Sequence, residues 1–285
     1  GQIRIRNYAA AVNPTDVVAR NGTLAKIQKK NPPPYVPGMD AAGIVDQVGE
    51  GVTTGVKVGD RVMAMVVPKG THGAYREQIV LDQRAVVAAP AGSSHAEACT
   101  LPMNALTARM SLDLLDLEPG QVIAVTGGPG AYGGYVIQLA KADGLMVIAD
   151  AADSDRELLK ALGADIVVSR GDGFAGKIRE HFPQGVDGLA DGALLNARAV
   201  DAVKDGGSFT AIRGFKGEDQ RDIKFTATWV TGYDGAYEKL DLLREQVEGG
   251  ALTLRVAGSV TPEDAGLAHQ RLEQGGTRGR MVIEF

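Results

Sequence analysis

The sequence predicts an α/β protein in two parts, a β-rich part followed by a doubly wound parallel sheet. Three observations carry this. Up to about residue 97, short apolar runs are separated by Gly/Asp turns, the spacing of small antiparallel strands in a compact barrel or sandwich. Beyond that point strand-like and helix-like stretches alternate, the order of a parallel sheet with right-handed crossovers. Early in the second part, VIAVTGGPGAYGGYVIQL at 122–139 runs apolar, then glycine-rich, then apolar again. At 285 residues the chain is long for one core, which fits the division.

Each element has its own signal. Ile3 and Ile5 alternate with Arg4 and Arg6, a strand from the outset. The chain thus starts at Gly1 as if in the middle of a domain, and residues upstream of it are expected. Ile44, Val45 and Val48 mark a second strand, and 61–67 follows the turn KVGD. Residues 78–81 and 85–89 are two more, Pro90 closing the latter. The stretch KKNPPPYVPG at 29–38 is an extended loop, since each proline drives its predecessor out of the α region. From 103 to 117 the spacing is helical. Strands at 122–125, 145–149, 166–168, 188–190 and 208–212 then alternate with helices at 133–143, 154–163, 174–181 and 193–204. A strand at 222–230, a helix at 234–248 and a closing strand, helix and strand from 252 complete the chain.

Composition removes several classes of function. The net charge of −5 leaves no basic face for nucleic acid. No apolar run approaches the roughly 20 residues that cross a bilayer, so no membrane partner is expected. A single cysteine, Cys99, allows neither an intrachain disulfide nor a four-cysteine zinc lobe, and a reducing, cytoplasmic setting is expected.

Gly128, Gly130 and Gly133 form G-x-G-x-x-G between an apolar strand and a helix, with Ala131 and Tyr132 inside the loop. That setting lets a backbone turn tightly and approach a pyrophosphate at a helix N-terminus. Pro129 removes one N–H, so the donors come from its neighbours. Asp150, at the end of the next strand, stands where a carboxylate meets the ribose 2′-OH of NAD. Arg156 and Arg170 follow and are placed to meet the 2′-phosphate of NADP. As structural residues, these same charges cap a helix and solvate a surface.

Across nearly its whole length the chain resembles the zinc-independent quinone oxidoreductases of the medium-chain dehydrogenase/reductase superfamily. The resemblance is carried by AAAVNPTD at 9–16, PYVPGMDAAGIVDQVGEGV at 34–52, VGDRVMAM at 58–65 and HGAYREQ at 72–78. It continues with LPMNALTA at 101–108, the glycine loop, ALGAD at 161–165, GVDGLAD at 185–191 and AHQRLEQGGTRGRMVI at 268–283. It implies a GroES-like β-barrel catalytic domain from 1–97 and 252–285, whose usual first strand or two would precede Gly1. It also implies a Rossmann domain at 98–251, an active site in the cleft, and a homodimer formed through the sheet edge at 222–230.

Zinc relatives carry a cysteine where this chain has Asn13, and Gly-His-Glu where it has Gly38, Met39 and Asp40; a further ligand falls near Met103. An amide and two thioethers are a poor zinc set, so no metal is expected. What remains is hydride transfer from NADPH, with NADH the lesser alternative, to a quinone or an α,β-unsaturated carbonyl. The resemblance makes Asn13 the first candidate donor to the developing oxyanion and brings Thr107 near the nicotinamide. Asp16 either holds that loop or caps the helix after Pro14; Thr107 is otherwise a hydroxyl bonded within its helix. The family's tyrosine after Asn-x-x-Asp is replaced by Val17 and Val18. Tyr132 either takes over as proton donor or packs at the domain interface. His72 reads as a turn residue and Cys99 as a small buried one. No Tyr-x-x-x-Lys is present, against a short-chain dehydrogenase mechanism. Two alternatives stay open: a nucleotide-binding redox sensor or accessory protein without turnover, and an enoyl-thioester reductase hinted at by Lys26, Lys29 and Lys30.

Overall fold

The computed structural model describes residues 1–285 and divides into two compact units, 1–106 with 231–285, and 107–230. The expected boundaries at 97/98 and 251/252 therefore shift. The helix over 234–248 belongs with the first unit, where Glu248 accepts from the Ala91 N–H at 2.8 Å.

In the first unit seven strands form one sheet: β1 (Gln2–Ala11), β2 (Asp40–Val48), β3 (Arg61–Met65), β4 (Gln78–Asp82), β5 (Val86–Ala88), β12 (Val256–Val260) and β13 (Arg280–Glu284). Their order is β12-β13-β1-β2-β3-β5, with β4 also on β1. Ile3 and Ile5 of β1 point inward onto Val45, Val62, Ile79 and Val86, as their alternation with arginines requires. The C-terminal strand closes onto the N-terminal one: Ala9, Ala10 and Ala11 pair with Glu284, Ile283 and Val282. Short helices α1 (Pro14–Arg20), α2 (Ala25–Gln28) and α3 (His95–Ala98) lie in the connections, and α4 (Pro102–Leu115) carries the chain across the boundary residue.

The second unit is a six-stranded parallel sheet in the order β11-β10-β9-β6-β7-β8. Here β6 is Val122–Thr126, β7 Met146–Ala151, β8 Ile166–Ser169, β9 Val186–Asp191, β10 Val203–Ile212 and β11 Lys224–Thr228. Helices α5 (Ala131–Ala142), α6 (Arg156–Ala161) and α7 (Phe174–His181) link the strands. The central strands are mostly apolar because both faces are covered, and Ile123, Val125, Val147, Leu189 and Phe209 are fully or almost fully buried. Helices α8 (Tyr237–Glu248) and α9 (Ala265–Glu273) return to the first unit.

One element differs from expectation. Residues 193–204 are not an α-helix: a 3-10 helix spans Asn196–Ala202, and Val203 already pairs with Val186 in the sheet. Leu194 and Asn196 have φ of 58° and 53°, which no α-helix accommodates, and Asp191 holds the turn by accepting from the Leu195 and Asn196 N–H groups.

Candidate functional site

In the first unit the return of β13 beside β1 assembles a buried polar network. Val12 N–H donates to the Met281 carbonyl at 2.8 Å, so Asn13, two residues past β1, arrives among the first residues of β2 and β13. Its Nδ2 donates to Asp40 Oδ2 at 2.6 Å, and its Oδ1 accepts from Asn104 Nδ2 at 3.2 Å. Asn104 Oδ1 in turn accepts from the Arg280 guanidinium, and Asp40 Oδ1 takes the Met103 N–H at 2.6 Å. Asn13 is 0% exposed. Its amide is committed inside the protein, so it is the hub of this network and not the oxyanion donor expected at that position.

Asp16 is likewise settled. It occupies the third helical position of α1, with Asn13 as the cap. Its Oδ2 accepts the Asn13 N–H and its Oδ1 the Gly38 N–H, each at 2.8 Å, which ties α1 to the loop before β2. It therefore holds its loop and is not the cap itself. Tyr75 donates to the same Oδ2 at 3.3 Å.

Two carboxyls in one buried cluster are costly to ionise. Burial pushes Asp16 up to about 6, against the hydrogen bonds from Asn13, Gly38 and Tyr75 and the charge of Arg280. Burial pushes Asp40 up to about 7, with Asp16 adding to the rise. Folded values above 3.8 mean that the folded state holds more protons than the unfolded one between about 4 and about 7. Stability contributed by these groups is therefore lost as pH rises through that window, and levels off above it. The expected loss is on the order of 3 kcal/mol for Asp16 and about 4 kcal/mol for Asp40. Urea midpoints over a pH series measure it: the Asp16→Asn protein should show the shallower loss, and equal slopes would refute the assignment.

The donor set here does not fit a catalytic zinc. Asn13 and Asp40 satisfy each other, and Met39 and Met103 are buried thioethers. Arg280, 6% exposed, already supplies a cation to the cluster. Beside this network the first unit holds a cavity of about 590 Å³, whose walls include Thr15, Asp16, Leu24, Ile27, Tyr35 and Met39.

In the second unit the glycine loop joins β6 to α5. Gly127 turns with φ of 69°. A Cβ on Gly133 would lie 2.4 Å from the Gly127 carbonyl oxygen, and one on Gly128 would lie 3.0 Å from Leu159 Cδ2. The third motif glycine is thus required by the close approach of helix and loop, whereas a Cβ on Gly128 would meet only side-chain atoms. Gly130 caps α5 and brings no side-chain oxygen to its N-terminus, and Ala131, buried, opens the helix. A twelve-residue helix begun in this way fits the pyrophosphate of a dinucleotide.

Asp150 is 2% exposed, and its Oδ1 accepts the Gly127 N–H at 2.6 Å. Its Oδ2 lies 3.6 Å from Arg170 Nε. Burial raises its pKa, and the Gly127 bond and the Arg170 charge oppose that rise. The carboxylate braces the loop from beneath. Arg156 pairs with Asp153 at 3.0 Å and donates to the Val167 carbonyl at 2.8 Å, at the ends of the same strands.

Tyr132 is buried. Its ring lies where a Cβ on Gly192 would meet it at 2.6 Å. Its hydroxyl is 2.7 Å from Ser111 Oγ, which lies 2.9 Å from Thr228 Oγ1, itself 2.7 Å from Thr210 Oγ1. Ser111 also donates to the Thr107 carbonyl at 3.0 Å, and Thr107 is 8% exposed. Burial pushes the Tyr132 phenol well above its ordinary value. A phenol locked into a row of buried hydroxyls is a packing residue, which removes Tyr132 as the proton donor. His72 is a turn residue, pairing backbone to backbone with Lys69, and Cys99 is buried with its thiol pushed up.

The linear reading did not single out Asn104, Arg280, Tyr75 and His269, nor Asp191, which takes the Thr126 hydroxyl at 2.5 Å. The signal available was that Tyr75, Asn104, His269 and Arg280 all lie inside the motif stretches HGAYREQ, LPMNALTA and AHQRLEQGGTRGRMVI.

The second unit is thus a doubly wound sheet with a nucleotide-type glycine loop, and the first a separate sheet with its own buried polar centre. The alcohol dehydrogenase GroES-like domain model matches residues 1–108, and the zinc-binding dehydrogenase model matches 162–283. Among relatives, the 2-methylene-furan-3-one reductase of Solanum lycopersicum is 34% identical over 220 residues, which is 75% of this chain and 55% of that protein. The NADPH-dependent alkenal/one oxidoreductase, chloroplastic, of Arabidopsis thaliana is 32% identical over the same shares. The quinone oxidoreductase structure from Coxiella burnetii superposes with a TM-score of 0.87 at 27% identity, covering 100% of this chain and 90% of that one. The chain belongs to the medium-chain dehydrogenase/reductase superfamily, with enone and quinone oxidoreductases among its relatives. It spans about half the length of the curated relatives it matches. No helix is long and apolar enough to cross a membrane.

Proposed function

We propose that the chain is an NADPH-dependent, zinc-independent reductase that delivers hydride to an α,β-unsaturated carbonyl or a quinone in a reducing, cytoplasmic setting. One pairing of observations carries this reading. A complete pyrophosphate loop, braced by Asp150, occurs in a chain whose zinc-ligand positions are filled by Asn13, Met39 and Met103. Bound at the loop, a reduced nicotinamide would supply the hydride. The protein's own part is to hold it: Gly128, Gly130, Ala131 and Gly133 shape the pyrophosphate seat, and Thr107 lies buried in α4. Arg170 offsets the charge of Asp150, which lessens the conflict with a 2′-phosphate; Arg170 and Arg156 are the cations we assign to that phosphate. The mostly apolar walls of the first unit's cavity fit the body of a small enone or quinone.

The test is NADPH oxidation with a panel of enones and quinones, with and without a chelator. Turnover indifferent to the chelator is expected, and Arg170→Ala should lower kcat/KM for NADPH by about tenfold or more while sparing NADH, a difference of about 1.4 kcal/mol. A preference for NADH would overturn the cation assignment. Tight NADPH binding without turnover on any acceptor would favour a sensor or accessory role.

A second reading has one observation behind it. The segment over 17–39, which supplies much of the cavity wall, carries Arg20, Lys26, Lys29 and Lys30 and no Asp or Glu, and Lys69 also lines the cavity. An acyl thioester bearing phosphates suits such a rim, and a crotonyl thioester in the same panel separates it from neutral enones. The assembly we assign is a homodimer. β11 is the outer strand of its sheet, and Trp229 beside it is 60% exposed, so sedimentation should give the mass of two chains.

A further inference from the structure

Reduction of an enone needs a proton as well as a hydride, and neither Asn13 nor Tyr132 is placed to give one. A different set of side chains in the first unit makes a continuous path. Asp16, on the cavity wall, accepts from the Tyr75 hydroxyl at 3.3 Å. That hydroxyl lies 3.1 Å from His269 Nε2. The two rings meet edge to face with centroids 5.9 Å apart, which fixes their orientation. His269 is 5% exposed on α9, and its Nδ1 is buried without a hydrogen-bond partner. A buried ring nitrogen left unpaired is costly, and it persists where the ring has another task.

We propose that His269, Tyr75 and Asp16 form a proton relay whose inner end is Asp16, a residue that lines the cavity. In the resting state Asp16 is a carboxylate, Tyr75 donates to it, and His269 is neutral with its proton on Nε2, donating to the Tyr75 oxygen. A hydronium ion of the solvent supplies the proton: its O–H bond breaks as an N–H bond forms at Nδ1. The Nε2–H bond breaks as a new Tyr75 O–H bond forms, and the old Tyr75 O–H bond breaks as an Asp16 O–H bond forms. His269 ends neutral in its other tautomer, and Asp16 ends protonated. After hydride addition, the Asp16 O–H bond breaks and a C–H bond forms at the enolate carbon, or an O–H bond at a quinol oxygen. Asp16 returns to carboxylate and no charge is left over.

The surroundings suit each station. Asp16, pushed up to about 6, is able to hold a proton near neutral pH, with Arg280 and Asp40 as its other charged neighbours. Tyr75 is pushed well above its ordinary value by burial and by Asp16, Asp40 and Cys99, so it passes protons and does not ionise. Burial and the charge of Arg20 lower His269, against the pull of Glu273, so its ring stays neutral and free to switch tautomer. Arg20 and Glu273 pair with each other at 2.7 Å on the surface between α1 and α9.

The use of the relay rests on the reductase reading, but its existence is tested without turnover. Nitrogen NMR of His269 in the ligand-free protein should show the Nε2–H tautomer above about pH 7 and the Nδ1–H tautomer below about pH 6, following Asp16. The switch should vanish in Tyr75→Phe, which keeps the ring and its packing, and in Asp16→Asn. A wild-type protein with one tautomer throughout, or a switch that survives in Tyr75→Phe, overturns the relay. With an enone as acceptor, Tyr75→Phe should lower kcat by about 10²-fold at unchanged NADPH affinity, within the range of a lost general acid, and His269→Gln should do the same. A kcat within about twofold of wild type in both variants overturns the catalytic role. If the wild-type protein reduces neither enones nor quinones, the reductase reading falls and the tautomer measurement still decides the relay.

Discussion

Gly133→Ala should weaken NADPH binding by about a hundredfold or more, close to 3 kcal/mol, and lower the stability of the protein at the same time. The added methyl would sit 2.4 Å from the Gly127 carbonyl oxygen and 2.9 Å from Gly128 Cα. Both are backbone atoms of the pyrophosphate loop, so relief comes only by moving the loop away from the start of α5. That displaces the amides the phosphate needs, and the overpacking itself costs about 1–3 kcal/mol. The same substitution at Gly176 in α7 should have the opposite sign. Nothing lies within 4 Å of its Cβ position, and alanine in a helix interior is favoured by about 0.5–1 kcal/mol. Calorimetric titration with NADPH and thermal melts of the two variants side by side check both parts. A Gly133→Ala protein that binds NADPH as wild type does would show that the loop does not hold the pyrophosphate.

Asp40→Ala should destabilise the protein by roughly 3–5 kcal/mol, about the loss expected when one partner is removed from a buried charged network. The side chain is 0% exposed and serves two donors at 2.6 Å, the Met103 N–H and Asn13 Nδ2. Alanine takes from both donors their short bond to a carboxylate, leaves Asn13 Nδ2 the Ala11 carbonyl at 3.5 Å, and leaves Arg280 with less opposing charge. An exposed ion pair behaves otherwise: Glu157 and Lys160 meet at 2.8 Å with both side chains mostly in solvent, and Glu157→Ala should stay within about 0.5 kcal/mol of wild type. Denaturant unfolding of the two variants measures the contrast. A loss below about 1 kcal/mol for Asp40→Ala would mean that the network relaxes around the gap.

Much of this chain was legible in order along the sequence. The alternation of Ile3 and Ile5 with arginines and the apolar runs at 122–125 and 145–149 are local patterns that became strands, and the turn at KVGD leads into β3 as expected. The glycine loop was legible because a strand-to-helix turn this tight leaves no room for a Cβ at Gly133, whatever surrounds it. The chemistry of Met39, Met103 and Asn13, two thioethers and an amide, is likewise read directly from the sequence. The 3-10 turn at Asn196–Ala202 was not, because it depends on Asp191 capping the chain from the end of β9.

What only the tertiary structure decided is where the polar side chains point. Asn13 meets Asn104 across 91 positions, Asn104 meets Arg280 across 176, and Tyr75 meets His269 across 194. Periodicity reports which face of an element is apolar, but it does not report which distant groups will share a hydrogen bond. That is set when β13 closes onto β1 and leaves buried donors and acceptors that must be satisfied among themselves. Asn13 is drawn inward by that requirement, Tyr132 is bound into its row of hydroxyls for the same reason, and the proton path through Asp16 exists because Tyr75 and His269 are brought together there.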